Sequence, residues 1–290
     1  MSAITTQTTL EADCFQEIAA LAYRESGILL VPEKILMVQS RLKHRLRELS
    51  IGNFNDYTAL VCSDSGRSER KHMISALTTN VSHFFREPHH FKLLTDHLLP
   101  LFRKRISAGK RIRIWSAGCS NGQEPYSLAI HLCRAEPALV DADFKILATD
   151  IDQNVVAFAE RGTYPVSQLK SLHQEDTAKF FTDAANCETP SLTVCDALRT
   201  LVSFRELNLL ASWPMRQTFD AIFCRNVIIY FDVATQERLW PRFHAALDQD
   251  GLFFLGHSER IVNAGAYGFS TIGPTAYAQA GHHSATTGRI

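Results

Sequence analysis

The chain has 290 residues, 46% hydrophobic and 21% charged, the profile of one or two globular domains with a sizeable core. Its 30 basic and 30 acidic residues cancel, so no global field favours nucleic acid or an anionic membrane, and any such attraction must be local. Seven cysteines without a C-x-x-C pair and twelve histidines without H-E-x-x-H spacing argue against a disulfide framework, and no metal is expected.

The N-terminus, MSAITTQTTLEAD, lacks the charged and apolar regions of a signal peptide. No run approaches the roughly 20 apolar residues of a membrane span. The expected setting is the cytoplasm, without membrane insertion. Phe15, Ile18 and Ala22, then Ile35, Val38, Leu42, Leu46 and Leu49, recur at three- and four-residue spacing and predict amphipathic helices. Pro32 fits the first turn of the second helix and Gly52 its stop. A further helix runs through Met73 and Leu77, and Phe91, Leu94, Leu98 and Leu101 form another apolar stripe.

From Arg111 the texture changes. RIRIW alternates as a strand, SAGCSNG turns, and Glu124 to Cys133 reads as a helix. FKILATD (144–150) is a second strand, and IDQNVVAFAERG a second helix closed by Gly162. FDAIFC and GLFFLG are later strands, with a helix from Val233 to Leu247 between them that Pro241 should kink or split. Alternating strands and helices imply a parallel sheet covered on both faces. Residues 163–205, with the β-like runs SLTVC and LVSF, break that rhythm and read as an insertion. The expected organisation is a helical domain over 1–80 and an α/β domain over 81–290 that carries this insertion. The tail GHHSATTGRI is expected to be disordered.

The strand, glycine turn and helix of RIRIWSAGCSNGQEPYS lie where doubly wound folds bind ligands, at the carboxyl ends of strands. A dinucleotide is the first thought, yet Glu124 at the head of the helix would repel a pyrophosphate. No Lys or Arg compensates between Ser116 and Leu132. The loop suits a nucleoside without phosphate that offers a cation to Glu124, as S-adenosylmethionine does, while Asp150 is placed to accept from ribose hydroxyls. An ordinary βα turn with solvated acids is the alternative.

Six stretches taken in order carry a resemblance: LTTNVSHFFREPHHF (77–91), IWSAGCSNGQEPYSLAI (114–130), ATDID (148–152), NLL (208–210), FDAIFCRNVIIYF (219–231) and GLFFLGHSE (251–259). Together the chain resembles the bacterial chemoreceptor glutamate methyltransferases, the CheR family. The resemblance implies an N-terminal all-helical domain, then a Rossmann-like S-adenosylmethionine-dependent methyltransferase domain of seven core strands with a small inserted β-subdomain. It implies a cofactor pocket lined by Asn80, Ser82, Arg86, Glu124, Asp150, Asn208, Leu209, Asn226 and Val227. Ser82 stands where the family usually has threonine and keeps the hydroxyl.

The implied reaction methylates receptor glutamates for sensory adaptation, with S-adenosylhomocysteine as product. A carboxylate nucleophile is already ionised at neutral pH, so no general base is needed, and the work lies in alignment and exclusion of water. Arg86 and Tyr230 are the side chains expected beside the reacting carboxylate, Arg86 holding a carboxylate and Tyr230 donating to an oxygen. An ion pair with Glu87 or Asp96 is the alternative for Arg86, and a core aromatic with a satisfied hydroxyl for Tyr230. Asn226-Val227-Ile228-Ile229-Tyr230 lacks the prolines of [DN]-P-P-[YF], which points away from N-methylation. Arg225 receives no role.

The helix KILMVQSRLKHRLREL (34–49) carries Arg41, Lys43, Arg45 and Arg47 beside its apolar stripe. Either this is a solvated face, or it docks the glutamate-bearing cytoplasmic helices of chemoreceptors. Without aromatic interleaving, nucleic acid is not expected as a partner. Family members that dock on a receptor's C-terminal pentapeptide have a glycine-bearing loop in the inserted subdomain, whereas TDAANCETPSLTV (182–194) has no glycine, so independence from such a tether is expected. A monomeric, active methyltransferase is one reading. A non-catalytic cofactor-binding or scaffolding relative in a chemosensory array is the other.

Overall fold

The computed structural model describes residues 9–185 and 187–281, so the tail beyond Gly281 lies outside the described residues. The chain divides into two compact units. One runs to Thr79 and takes back Tyr230–Asp232; the other runs from Asn80 to Ile229 and from Val233 onward. No helix among the described residues is long and apolar enough to cross a membrane.

The first unit is built from α1 (Ala12–Ser26), α2 (Ile35–Glu48), α3 (Phe54–Cys62) and α4 (Arg67–Leu77). Phe15, Ile18 and Ala22 of α1 and Val38, Leu42 and Leu46 of α2 are buried, as the helical spacing requires. Leu49 lies outside the helix and is exposed. The stop also differs from expectation. Ser50, not Gly52, adopts the left-handed backbone (φ 56°), and the Ile51 N–H closes the end on Leu46 O at 2.9 Å. Arg41 donates to Leu77 O (2.6 Å), Thr78 O (2.8 Å) and Thr79 Oγ1 (2.7 Å), closing the C-terminal carbonyls of α4. Arg45 grips Glu69 with two bonds, 2.9 and 2.6 Å, and also pairs with Glu48. The returning segment joins this unit through Leu29 N–H on Tyr230 O (2.9 Å) and Tyr23 Oη on Asp232 Oδ2 (2.7 Å).

The second unit opens with α5 (Pro88–Leu93), a π turn and α6 (Leu99–Ser107). There follow β1 (Ile112–Ala117), α7 (Gln123–Ala135), β2 (Phe144–Asp150), α8 (Gln153–Arg161), β3 (Thr163–Pro165), α9 (Gln174–Phe180), β4 (Phe181–Asp183), β5 (Ser191–Val194) and α10 (Asp196–Arg199). The chain closes with β6 (Val202–Glu206), β7 (Phe219–Cys224), α11 (Val233–Ala246), β8 (Leu247–Leu255), β9 (Phe269–Gly273) and β10 (Ala276–Gln279). Seven strands form one sheet in the order β6-β2-β1-β7-β8-β10-β9, and β3-β5-β4 form a separate antiparallel sheet. β6, β2, β1, β7 and β8 are parallel; β10 runs antiparallel to β8, and β9 antiparallel to β10. The expected insertion, 163–205, therefore takes in β6, which belongs to the main sheet; the separate sheet spans 163–194. α11 runs unbroken through Pro241 rather than splitting there.

Alternation along the strands builds two cores. On one face Trp115 meets Trp213, Phe219 and Phe243, with ring centroids 4.8 to 5.6 Å apart, and Phe243 stacks on Phe253 at 4.8 Å. On the other, Ile114, Phe223 and Phe254 pack with Leu128 and Leu132 of α7, Phe223 stacking on Phe254 at 4.4 Å. The order reverses at β1, flanked by β2 and β7, so the carboxyl ends of these strands flank the crevice where open α/β sheets take ligands.

Arg41→Ala should strip the carbonyls that close α4 and lower stability by about 1.5–3 kcal/mol, the usual worth of charged hydrogen bonds. A reduced urea midpoint at unchanged slope would show it.

Candidate active site

β1 ends at Ala117, and the chain turns through Gly118 at φ 86°. A Cβ there would lie 2.2 Å from Val227 Cγ2, so backbone angle and close approach both demand glycine. The Gly118 and Cys119 N–H groups clamp the loop on Thr149 O at 2.7 and 2.9 Å. Ser120 N–H then reaches Asp150 Oδ2 (2.8 Å), and Ser120 Oγ donates to Asn80 O (2.9 Å). The Asn80 amide donates to Asp152 Oδ2 at 2.8 Å, while Asp152 Oδ1 caps α8 at Asn154 N–H. Asp150 Oδ1 accepts from Asp152 N–H at 3.1 Å, and the Ile151 N–H also favours the ionised carboxylate. Burial pushes this carboxyl up to about 6 despite those donors.

Glu124, expected to face a ligand cation, already has a resident one. Its Oε1 accepts from Ser116 Oγ and its Oε2 from Arg225 Nε, both at 2.6 Å. The Arg225 side chain is only 3% exposed. Its Nη1 donates to Arg86 O at 2.6 Å and lies 3.4 Å from His90 Nδ1 and 3.8 Å from Glu87 Oε2. Burial, then Arg225, hold the His90 imidazole down to about 3, so it is neutral and its Nδ1 can accept from the guanidinium. Burial alone would raise Glu87, but the His257 N–H and the Arg225 charge together hold its carboxyl below the usual range.

Beyond β7 the chain turns through Asn226 at φ 61°, held by a residue with no expected role. Buried Glu259 accepts from Asn226 N–H (2.8 Å), Gly256 N–H (2.6 Å) and Ile229 N–H (3.2 Å). A Cβ on Gly256 would lie 2.5 Å from Asn226 Nδ2, so the turns after β7 and β8 interlock. Glu259 closes the GLFFLGHSE stretch; an acid shortly after an apolar strand end was the available signal.

The structure thus brings Asn80, Glu124, Asp150, Asn226 and Val227 to one end of the sheet. Leu207 N–H on Asp150 O (2.8 Å) brings the next two residues there too. Asn208 Oδ1 accepts from Leu210 N–H (2.9 Å), and Leu209 O takes Trp213 Nε1 and Arg242 Nη1 at 3.0 and 2.6 Å. Ser82 is half-buried. Arg86, also half-buried, reaches Val81 O at the long distance of 3.5 Å. Both acids considered as its partners are used elsewhere, Asp96 by Lys92 and Glu87 by Arg225 and His257. Tyr230 falls in the first unit. Of the four cations on α2, Arg41 and Arg45 are engaged within their own unit, and Arg47 Nε reaches Lys43 O at 3.3 Å. Lys43 is half-buried and Arg47 exposed.

A glycine loop flanked by the buried acids Glu124 and Asp150, at the crevice of a seven-stranded sheet, fits a nucleoside cofactor such as the S-adenosylmethionine of methyltransferases. Residues 80–277 match the CheR methyltransferase SAM binding domain and residues 13–78 the CheR all-alpha domain. A probable chemotaxis protein methyltransferase of Rhizobium etli is 43% identical over 257 residues, covering 89% of this chain and 96% of the relative. Chemotaxis protein methyltransferase 2 of Pseudomonas aeruginosa is 42% identical over 267 residues, covering 92% of each. The chemotaxis protein methyltransferase of Escherichia coli is 39% identical over 265 residues, covering 91% of this chain and 90% of its own. The chain belongs to the CheR methyltransferase family, and its cofactor is S-adenosylmethionine.

Glu259→Gln would place an amide donor against backbone donors at a buried site. It should cost about 1–3 kcal/mol, the price of an unsatisfied buried group, and melting temperature checks this.

Proposed function

We propose that the chain transfers a methyl group from S-adenosylmethionine to glutamate side chains in the cytoplasmic helical region of chemoreceptors, as a cytoplasmic monomer. The observation that carries this reading is the combination at the carboxyl ends of β1, β2 and β7. The Asp150 carboxyl there is raised by burial to about 6, and Arg86 has no strong partner among the described residues. The names of the relatives support the chemosensory setting.

Bound S-adenosylmethionine supplies an electrophilic methyl on a sulfonium and leaves as S-adenosylhomocysteine. The glutamate oxygen forms the new O–C bond as the S–C bond breaks, its electron pair passing to sulfur, and no proton moves. Asp150 accepts from ribose hydroxyls, and Asn80, Ser82, Glu124, Asn208, Leu209, Asn226 and Val227 shape the remainder of the cofactor site. Arg86 draws in a carboxylate with its planar fork, and Tyr230 orients an oxygen by donating to it. Lys43 and Arg47 are the α2 cations best able to meet acidic receptor helices, since Arg41 and Arg45 have partners in their own unit.

Labelled methyl from S-adenosylmethionine should appear on receptor cytoplasmic fragments and be released as methanol by base. Cofactor binding without transfer would instead mark a non-catalytic homologue. Arg86→Ala should lower kcat/KM by about 100-fold or more, within the range of lost charge-stabilising contacts; full activity would remove Arg86 from the mechanism. The proposal also holds that docking needs no C-terminal pentapeptide, which the glycine-free 182–194 stretch supports. Tight pentapeptide binding in a calorimetric titration would refute it.

Cofactor affinity should also depend on pH. Hydroxyls donating to ionised Asp150 favour the charged form, so binding lowers a carboxyl that stands at about 6 in the free protein. Affinity for S-adenosylhomocysteine should therefore weaken as pH falls through about 6. Asp150→Asn should flatten the profile.

A further inference from the structure

We propose that Arg225 is a positioning residue for methyl transfer, fixing Arg86 through its main chain from the buried anchor Glu124. The inference rests on the reading of Arg86 as acting at the transfer site. Strand alternation brings the parts together. Ser116 of β1 stands beside Phe223 of β7, and two residues on, Arg225 projects to the same face, its guanidinium 6.0 Å from the Phe223 ring centre. Glu124 at the head of α7 meets both Ser116 and Arg225 there.

From that anchor the fork of Arg225 reaches one carbonyl in particular, that of Arg86, at 2.6 Å. Arg86 lies between two non-glycine residues in the left-handed region, Phe85 (φ 54°) and Glu87 (φ 59°). Such backbone is unfavourable for residues bearing a Cβ and persists only where the surroundings impose it. Ser127 Oγ holds Phe85 N–H at 3.0 Å, and His257 holds Glu87 Oε1 through its N–H at 3.1 Å. Arg225 supplies the bond between those two, on Arg86 itself.

The same contacts bear on a rival reading. Glu87, His89 and His90 bring three potential metal donors within 4.8 Å of one another. Arg225, however, already places its cation 3.8 Å from Glu87 Oε2 and 3.4 Å from His90 Nδ1. A guanidinium thus already stands beside two of these three donors.

Arg225→Lys keeps the charge but not the fork, since one ammonium cannot reproduce the paired geometry on Glu124 and the Arg86 carbonyl. Expected is a kcat at least about tenfold lower, with S-adenosylmethionine affinity changed less than about threefold. Adding Arg225→Lys to Arg86→Ala should cost less than about threefold more, because without the Arg86 side chain nothing is left for Arg225 to position. Costs that multiply would overturn the proposal and leave Arg225 structural only. Backbone hydrogen exchange over residues 80–91 should quicken in the variant while the central strands stay protected; unchanged exchange there would also overturn it. Should Arg225→Lys fail to fold, Arg225→Gln enters the same cycle. Full activity of Arg86→Ala alone would sink the reading of Arg86, while the exchange result would still decide whether Arg225 holds the segment.

Discussion

A guanidinium buried between Glu124 and the Arg86 carbonyl is the constraint on which the carboxyl end of the sheet depends. Two carboxylates and one guanidinium lie out of water here, and removing one partner of such a pair costs about 3–5 kcal/mol. That penalty fixes the geometry. It ties the loop after β1, the turn after β7 and the segment before α5 to a single point. Neutral His90 adds an acceptor without adding charge, and its Nε2 rests 3.0 Å from Thr275 Oγ1.

Around this point each strand end is tied by backbone donors rather than by flexible side chains. Asp150 gathers the N–H groups of Ser120 and Asp152, and Glu259 gathers those of Asn226, Gly256 and Ile229. Both acids are buried and raised by burial. For Glu259 three backbone donors offset the cost of desolvation. Asp150 keeps capacity for further donors, the property that a ribose site requires. A nearly identical chemical group thus does structural work at one strand end and is available to a ligand at another.

Much of this was legible locally. FKILATD and FDAIFC coincide with β2 and β7, and Gly162 closes α8 in a left-handed turn, because periodicity and turn chemistry are encoded within a few neighbours. What failed locally was also informative. Ser50 ends α2 ahead of Gly52, Pro241 sits inside an unbroken α11, and LVSF proved to be part of a core strand. Local propensity does not decide where a helix stops or which sheet a strand joins. The partner of Glu124 lies 101 residues away, and only the sheet order brings it near. The sequence held one hint: a carboxylate heading a helix, with no cation close by, must find its counter-charge from another strand. On the basic face of α2 the local pattern could not tell which cations were already engaged: Arg41 and Arg45 serve a helix end and an acid within their own unit.

The most direct measurement is a crystal structure of the protein with S-adenosylhomocysteine. Both ribose hydroxyls should lie on Asp150, with the Arg225–Glu124 pair and the Arg225 bond to the Arg86 carbonyl intact. A ligand seated away from Asp150, or one that displaces Arg225 from Glu124, would contradict this arrangement.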